Sequence, residues 1–388
     1  SSSVSQWQIA MRWNVQLIVV LGPPSVFCSL QHLVPIPVFR FQDVSYEEFY
    51  RHGPQSDSPV ILTDVPSVHS PCFGERQNNT DLLLASLLEY CGGDIRLDEM
   101  VDNWEIRGGK RAFMQYDFKE FLDKWMHGGL ESISDIHGPI HAMEYAILER
   151  CAQELWKDIR IPPFFSGDAS LRAKHMGVKY GENGGYPALS FSQKGFLTAG
   201  HVDWPNNELW IGMCFGRKTA RVVPVTAIAN HWGHGAHVER FASGKMSSER
   251  PLLLNAHFHK SPNIFNDDFV SSELPGIPIY EGSLGAGDIL YMPTSAMHAV
   301  RTEQPTLYVI SAFVDINGLL APNPNQLPVK LDSCAQRCKI ANFSAEYGGS
   351  ETLCRYVLGC NRLVEWLLDE RVRVPLVDAR GPVRDGSL

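Results

Sequence analysis

The sequence contains no long run of lysine or arginine, and its formal net charge is -9. Nucleic-acid-binding proteins usually present a basic patch, so DNA and RNA are poor candidates for a partner. The sequence also contains no apolar stretch long enough to cross a membrane, because Gly22-Pro23-Pro24 interrupts the apolar run that follows Met11. We therefore expect no nucleic-acid partner and no transmembrane span.

Paired Cys-x-x-Cys units are also missing, although the chain has nine cysteines. Zinc sites commonly use such units, so zinc is the weakest explanation for the late cluster of Cys334, Cys338, Cys354 and Cys360. Two disulfides, or ordinary small apolar residues, remain as explanations for these four cysteines. An odd total leaves at least one thiol unpaired.

The chain is long and apolar enough to bury a substantial core, with 388 residues of which 44% are hydrophobic. Residues 1–36 form an amino-terminal segment with a basic residue followed by a short apolar run, the layout of a signal sequence. The alternative is a buried strand over Val15–Leu21. Cytoplasm or nucleus is the favoured compartment, and the lumen of the secretory pathway is the alternative.

The next part of the chain predicts two strands and several helices. The strand candidates Val38–Phe41 and Val60–Thr63 flank a short helix and a turn rich in glycine, proline and serine. Helices are expected within residues 79–93, 116–129 and 141–159, because apolar residues recur there at helical spacing. We therefore expect a helical part over residues 80–160.

From residue 186 the chain changes to short strand candidates separated by turns. Lys194-Gly195 and Gly216-Arg217 each stand between two strand candidates, which predicts a turn at both places and a hairpin at the first. Many short strands with regular turns are typical of a barrel or jelly roll. The predicted fold class is mainly β with flanking helices, around a double-stranded β-helix (jelly roll, cupin-like) core at residues 186–318.

His201 and Asp203 stand on alternate positions in the stretch TAGHVDWPNNELW. Residues i and i+2 of a strand share a face, so this imidazole and carboxylate would point into one space, although a single pair also arises by chance. His298 begins a strand after a proline-containing turn, and a jelly roll can return it beside His201. Two histidines and one carboxylate leave three positions open on an octahedral ion, as a non-haem Fe(II) oxygenase requires.

These residues belong to a longer pattern: Thr-x-x-His-x-Asp, then a Gly-x-Lys turn, then Gly-Asp-x-Leu-Tyr-x-Pro followed by a histidine. The pattern resembles that of the JmjC or cupin-like 2-oxoglutarate oxygenases, especially their small protein-hydroxylase branch, and covers residues 37–318. The resemblance implies an Fe(II)- and 2-oxoglutarate-dependent dioxygenase that uses O₂. His201, Asp203 and His298 would be its catalytic metal ligands.

The same resemblance implies that Thr198 and Lys218 bind the distal carboxylate of 2-oxoglutarate. Arg221 is the rival cation, but it follows three residues later in a strand, where its side chain should point to the opposite face. Taken singly, Thr198 is also typical of an ordinary strand, and Lys218 of a solvated turn.

The function implied is the hydroxylation of a protein side chain, with succinate and CO₂ as co-products and a protein or peptide as substrate. The alternatives are a JmjC-type lysine demethylase and a non-catalytic cupin-fold binding module. Trp204-Pro205 departs from the family pattern, and the long stretch between Val225 and Gly282 has room for a loop over the mouth of the barrel. These departures leave the substrate open.

Residues 319–388 predict a cysteine-containing helical extension after a connector rich in proline and asparagine. Leu353, Val357, Cys360, Val364 and Leu367 fall on one side of a helix. This apolar side packs either on the chain's own helical region or on a second copy, which would make a homodimer through the carboxyl-terminal helix.

Overall fold

The computed structural model describes residues 33–99, 113–130, 139–165, 187–201, 208–224, 226–227, 263–294 and 296–313. Its strands are β1 Leu33–Pro35, β2 Val38–Arg40, β3 Val60–Thr63, β4 Asp94–Glu99, β5 Phe113–Asp117, β6 Ile140–Ala146, β7 Ala188–Ser192, β8 Leu197–His201, β9 Glu208–Phe215, β10 Arg217–Val223, β11 Ile279–Gly285, β12 Ile289–Met292, β13 Met297–Thr302 and β14 Thr306–Phe313. Its helices are α1 Tyr46–His52, α2 Thr80–Tyr90, α3 Phe118–His127, α4 Ile147–Arg150, α5 Gln153–Trp156 and α6 Asp267–Glu273, with 3₁₀ turns at Ser67–His69, Gly74–Asn78 and Pro163–Phe165. The prediction of a mainly β fold with flanking helices is confirmed.

The strands form two mixed sheets. A five-stranded sheet has the order β1-β11-β10-β13-β8, and a nine-stranded sheet has the order β2-β3-β12-β9-β14-β7-β6-β4-β5. The parallel neighbours are β1 with β11 and β2 with β3. Strand β1 lies just before the expected domain start at residue 37, and it pairs with β11 in register.

From β7 onward the chain passes between the two sheets at every connection except the one from β10 to β11. Strands β7, β9, β12 and β14 belong to the nine-stranded sheet, whereas β8, β10, β11 and β13 belong to the five-stranded sheet. The strand, turn and strand predicted around Lys194-Gly195 and around Gly216-Arg217 are present, but each turn carries the chain from one sheet to the other, so the hairpin expected at Lys194-Gly195 is wrong. Gly216 has φ +82°, and a Cβ there would lie 1.9 Å from the carbonyl oxygen of Pro305.

One apolar core is shared by side chains of both sheets. It includes Ile211 and Met213 of β9 together with Ala220 and Val222 of β10. The sheets approach closely at Gly282 of β11, where a Cβ would lie 2.6 Å from Ile61 Cδ1. Alternate residues of each strand therefore point into the space between the sheets, which we call the interior.

Two further cores cover the outer faces of the sheets. Trp210 and Cys214, the alternate residues of β9, join Leu87 of α2 and Phe121 of α3 in the larger core. On the five-stranded sheet, the outer core contains Val270 of α6. The helices expected within residues 79–93 and 116–129 are confirmed as α2 and α3.

The helix expected over residues 141–159 is wrong in its first part. Ile140–Ala146 form β6, which pairs with β4 and β7, and only the short α4 and α5 are helical. Both faces of β6 are covered: Tyr145 packs in the outer core, and His141 points into the interior. Apolar residues on both faces of a strand fall at intervals that also fit a helix, which explains the error.

Two disulfides join residues far apart in the chain. They are Cys72–Cys214, with a separation of 142 residues, and Cys91–Cys151, with a separation of 60. Cys72–Cys214 fastens the segment before α2 to strand β9, and Cys91–Cys151 joins the end of α2 to the residue after α4. The four cysteines singled out in the sequence, all beyond residue 330, lie outside the described residues.

Several predictions fall outside the described residues. They are the signal-like segment, the carboxyl-terminal extension and its dimer helix, Trp204-Pro205, most of the stretch between Val225 and Gly282, and Asp203. In the described part of the chain, no helix is both long and apolar enough to cross a membrane.

Candidate active site

His201 and His298 face each other in the interior at one end of the five-stranded sheet. They are paired residues of β8 and β13, and their ring centroids lie 4.2 Å apart with an angle of 53° between the rings. His298 is 4% exposed, whereas His201 is partly exposed. The structure thus brings together two of the three predicted metal ligands, and the outer one is open to solvent.

A backbone carbonyl group lies beside one nitrogen of the His298 ring. Its Nδ1 lies 3.2 Å from the carbonyl oxygen of Ala296. A neutral imidazole that donates from Nδ1 keeps its lone pair on Nε2, and a metal-binding histidine is commonly oriented in this way.

Thr198 shares the interior face with His201 because of a β-bulge. Thr198 pairs with Val300 and His201 pairs with His298, so two residues of β8 stand opposite one residue of β13 between these pairs. Residues three apart in a regular strand point to opposite faces, and the bulge removes this difference. The spacing Thr-x-x-His is therefore compatible with one shared face.

The third predicted ligand, Asp203, lies outside the described residues. Within the described ranges, no group of three or more His, Cys, Asp or Glu side chains could hold a metal ion. Of the three predicted metal ligands, the structure therefore gives the geometry of His201 and His298.

Lys218 of β10 is buried in the interior, with 1% of its surface exposed. Its ammonium donates a hydrogen bond to Ser192 Oγ at 2.9 Å, and its Nζ lies 4.1 Å from the centroid of the Tyr308 ring. Among the described residues, no carboxylate forms an ion pair with it. Burial lowers the pKa of Lys218 from 10.5 to about 7.

Arg221 points to the outer face of the same strand. Its Nε donates to Glu281 Oε2 at 2.6 Å, and its Nη1 donates to the carbonyl oxygen of Ile264 at 2.8 Å. Its guanidinium also lies 4.8 Å from the centroid of the Phe265 ring. The expectation that Lys218 and Arg221 point to opposite faces agrees with these contacts.

Two buried hydroxyl groups near Lys218 have no hydrogen-bond partner among the described residues. They are Thr302 Oγ1 and Thr306 Oγ1, in side chains that are 1% and 0% exposed. Thr302 pairs with Lys218 across β13 and β10, and Thr306 pairs with Ser192 across β14 and β7. Paired residues of an antiparallel ladder share a face, so both hydroxyls belong to the interior wall around the ammonium.

A buried histidine, which pairs with Ser192 across β6 and β7, contacts the hydroxyl group of Tyr308. His141 Nε2 and Tyr308 Oη share a hydrogen bond of 2.7 Å, and the two side chains are 5% and 4% exposed. Sequence reasoning missed both residues, together with Ser192, Thr302 and Thr306. Ser192 carried one available signal, because serine alternates with apolar residues in Ala188–Ser192.

The Gly-Asp part of the sequence motif has a structural role. Gly285 N donates to Asp288 Oδ2 at 2.7 Å, which closes the turn between β11 and β12. Asp288 N in turn donates to the carbonyl oxygen of Gly285 at 3.1 Å. Burial raises the pKa of this carboxyl group above its usual range. Asp288 of the motif thus closes the turn at a crossing between the two sheets.

A separate depression of about 460 Å³ is lined by residues that include Ser58 and Tyr280. Tyr280 pairs with Val222, which pairs with His298 on its other side. The depression therefore lies at the same end of the sheet as His298, two strands or about 10 Å away. Neither interior histidine lines it, so it is a neighbour of the histidine pair and not the same site.

Comparisons with known proteins add no identity to this geometry. No protein-family model matches the chain, and no curated protein matches it.

Proposed function

We propose that the protein is an Fe(II)- and 2-oxoglutarate-dependent dioxygenase that hydroxylates a protein side chain. The observation that carries the proposal is the combination, in one interior, of the His201–His298 pair with a buried lysine that has no carboxylate partner among the described residues. The interior thus contains side chains suited to bind a metal and side chains suited to bind an anionic co-substrate.

The two histidines fit a divalent metal as two of its ligands. They are paired across neighbouring strands, and a proton on His298 Nδ1 directed at the Ala296 carbonyl oxygen would place the lone pair of the ring on Nε2. Asp203 follows His201 by two residues and is proposed as the third ligand. When bound by this set of ligands, Fe(II) would supply the activation of O₂, coupled to decarboxylation of 2-oxoglutarate to succinate and CO₂.

The opposite end of the interior fits a carboxylate. The Lys218 ammonium, with Thr302 Oγ1 and Thr306 Oγ1 on the same wall, presents a cation and two hydroxyl donors that lack an acceptor. A buried ammonium and buried unpaired hydroxyls are costly, and one bound carboxylate would satisfy them together. Thr198 is proposed as a further hydroxyl donor.

The separation of the two ends suits an extended dicarboxylate. Lys218 pairs with Thr302, which follows His298 by four residues on β13, or about 13 Å along the strand. The long Lys218 side chain and a five-carbon diacid can bridge this length together. The residues would then hold the co-substrate with its keto acid end toward the histidines and its distal carboxylate at the lysine.

The strand order supports a double-stranded β-helix core for this enzyme. Strands β7 to β14 form two four-stranded groups, with the orders β12-β9-β14-β7 and β11-β10-β13-β8. The chain crosses between these groups at every connection but the one from β10 to β11. In this arrangement the interior lies between the groups, where a jelly-roll enzyme keeps its site.

Turnover of 2-oxoglutarate tests the proposal. The purified protein with Fe(II), ascorbate and 2-oxoglutarate should produce succinate, and His298→Ala should not. Arg221→Ala is the matched control, because this side chain lies on the outer face. Absence of succinate in the wild type, with and without candidate peptides, would favour a non-catalytic binding module.

Mass spectrometry of candidate peptides distinguishes the remaining functions. Gain of one oxygen atom is expected for side-chain hydroxylation. Loss of a methyl group from a methylated lysine would replace this proposal with the JmjC-type demethylase.

A further inference from the structure

The described strands packed against the Lys218 side chain present no carboxylate to it. Among the described residues, the groups facing it are apolar, hydroxyl-bearing or aromatic, and His141 of β6 is a further titratable group on the same wall, where it pairs with Ser192 and bonds Tyr308 Oη. The facing residues are Leu284 of β11, Thr302 of β13, Ser192 of β7 and Tyr308 of β14.

This environment favours the neutral amine before a ligand binds. The hydroxyl of Ser192 and the ring of Tyr308 stabilise an ammonium only partly, and burial lowers the pKa of Lys218 to about 7. A carboxylate placed beside Nζ adds an opposite charge at close range and favours the protonated form. The empty and filled pockets therefore differ in the number of protons they hold.

We propose that binding of the distal carboxylate of the co-substrate draws one proton from solvent onto Lys218 Nζ, and that Tyr308 is a positioning residue for the resulting ammonium. This inference rests on the proposed function and adds a proton to its binding step. No bond other than the new N–H bond forms, and the buffer is the proton donor.

The geometry around Tyr308 supports its positioning role. Its ring face lies 4.1 Å from Nζ, and its hydroxyl is held by His141 Nε2 at 2.7 Å. Because His141 holds the hydroxyl group, the ring offers the ammonium a fixed position. The attraction between an ammonium and an aromatic face is stronger when water is excluded. The pair spans β6 and β14, so the ring is held from a second strand.

Calorimetry in buffers of different ionisation enthalpy measures the proton directly. The full-length protein is loaded with Mn(II) in place of Fe(II), so that 2-oxoglutarate binds without turnover. We expect uptake of about one proton per 2-oxoglutarate at pH 8 and close to none at pH 6, because the free lysine has a pKa of about 7. Binding with no proton uptake at pH 8 overturns the inference and leaves the proposed function standing.

Two variants identify the group that takes up the proton. Lys218→Arg carries a permanent charge, so it should bind 2-oxoglutarate without proton uptake at pH 8. His141→Asn should keep the uptake, because an amide can still bond Tyr308 Oη. Uptake that persists in Lys218→Arg and disappears in His141→Asn assigns the proton to His141 and overturns the inference. If Lys218→Arg does not bind 2-oxoglutarate, His141→Asn alone decides. Proton uptake that persists in His141→Asn supports Lys218, and uptake that disappears overturns the inference.

The role of Tyr308 is tested by the pH at which uptake is half complete. Tyr308→Leu removes the ring face and should lower this midpoint by about one pH unit, whereas Tyr308→Phe keeps the ring and should shift it less. A purely structural role would change affinity in both variants without moving the midpoint. An unmoved midpoint in Tyr308→Leu overturns the part assigned to the ring.

Failure of the proposed function gives a different result. If the Mn(II)-loaded wild type gives no binding heat with 2-oxoglutarate at either pH, both the co-substrate site and the proton coupling are overturned.

Discussion

Lys218 and Arg221 lie three residues apart on β10 and point to opposite faces of the five-stranded sheet. The lysine reaches Ser192 in the interior, and the arginine reaches Glu281 on the outer face. Two cations of one strand therefore have separate surroundings. Their comparison offers a test of which one binds the co-substrate.

Lys218→Ala should raise the KM for 2-oxoglutarate by 100-fold or more, whereas Arg221→Ala should leave it nearly unchanged. The loss of one partner from a buried ion pair costs about 3–5 kcal/mol. Steady-state kinetics at saturating Fe(II) would measure both variants. A large effect of Arg221→Ala with none from Lys218→Ala would contradict the assignment.

Replacement of either interior histidine should abolish metal binding and leave the protein folded. His201→Ala and His298→Ala each remove one imidazole from a wall otherwise supported by the two-sheet core. Metal content and Mn(II) binding would report the site, and far-UV circular dichroism the fold. His141→Ala is a control, since this histidine is bonded to Tyr308 Oη. Wild-type metal affinity in both His201→Ala and His298→Ala would exclude the proposed site.

The stability of the ligand-free protein should rise with pH because of Lys218. Its pKa is about 7 in the folded state and 10.5 ordinarily, so the unfolded chain binds more protons between these values. The free energy of unfolding then increases with pH through this window, by about 2 kcal/mol between pH 7 and pH 9.

Lys218→Met is the matched variant for this measurement. It fills a similar volume with no titratable group, so the contribution of Lys218 to the pH dependence should disappear and stability at pH 7 should increase. Urea unfolding of both proteins at pH 7 and pH 9 gives the difference. Equal pH dependence in the two proteins would show that Lys218 is protonated in the folded state across this range.

Removal of the Cys72–Cys214 disulfide should lower the free energy of unfolding by about 2–4 kcal/mol, because the cross-link restricts the unfolded chain. The double variant Cys72→Ala, Cys214→Ala should keep the wild-type KM for 2-oxoglutarate, since Cys214 belongs to the outer core. Urea unfolding measures the loss. Intact-mass analysis under non-reducing conditions first counts the free thiols. Free thiols at Cys72 and Cys214 would show that the two residues are not cross-linked, and the prediction would then not apply.

The sequence predicted elements whose boundaries are clearly marked. β3 Val60–Thr63 is a short apolar run after a turn rich in proline and serine, and α3 Phe118–His127 combines helical spacing with Asp117 at its start and Gly128 at its end. It did not predict β6, whose apolar residues also fit helical spacing, or the neighbour that each strand takes in its sheet. A turn sequence such as Lys194-Gly195 states that the chain reverses but does not state which partner each strand takes.

The interior was partly predictable for a related reason. His201 and His298 were selected by residue type and motif, and the structure brings them together. Their neighbour Thr198 shares their face only through a bulge, whose extra residue no periodic pattern reveals. His141 and Tyr308 were missed because each is an ordinary strand residue until folding places one against the other.

The position of β14 has a consequence for synthesis of the protein. This strand is the last one in the described chain, yet it lies between β9 and β7, and it carries Tyr308, which meets His141 from 167 residues earlier. Until β14 has left the ribosome, β7 and β9 each present an unpaired edge, and Lys218 lacks the ring that covers it. Completion of the pocket therefore waits for the last of the described strands. Distant contacts of this kind favour slow folding and leave unpaired strand edges exposed in the nascent chain.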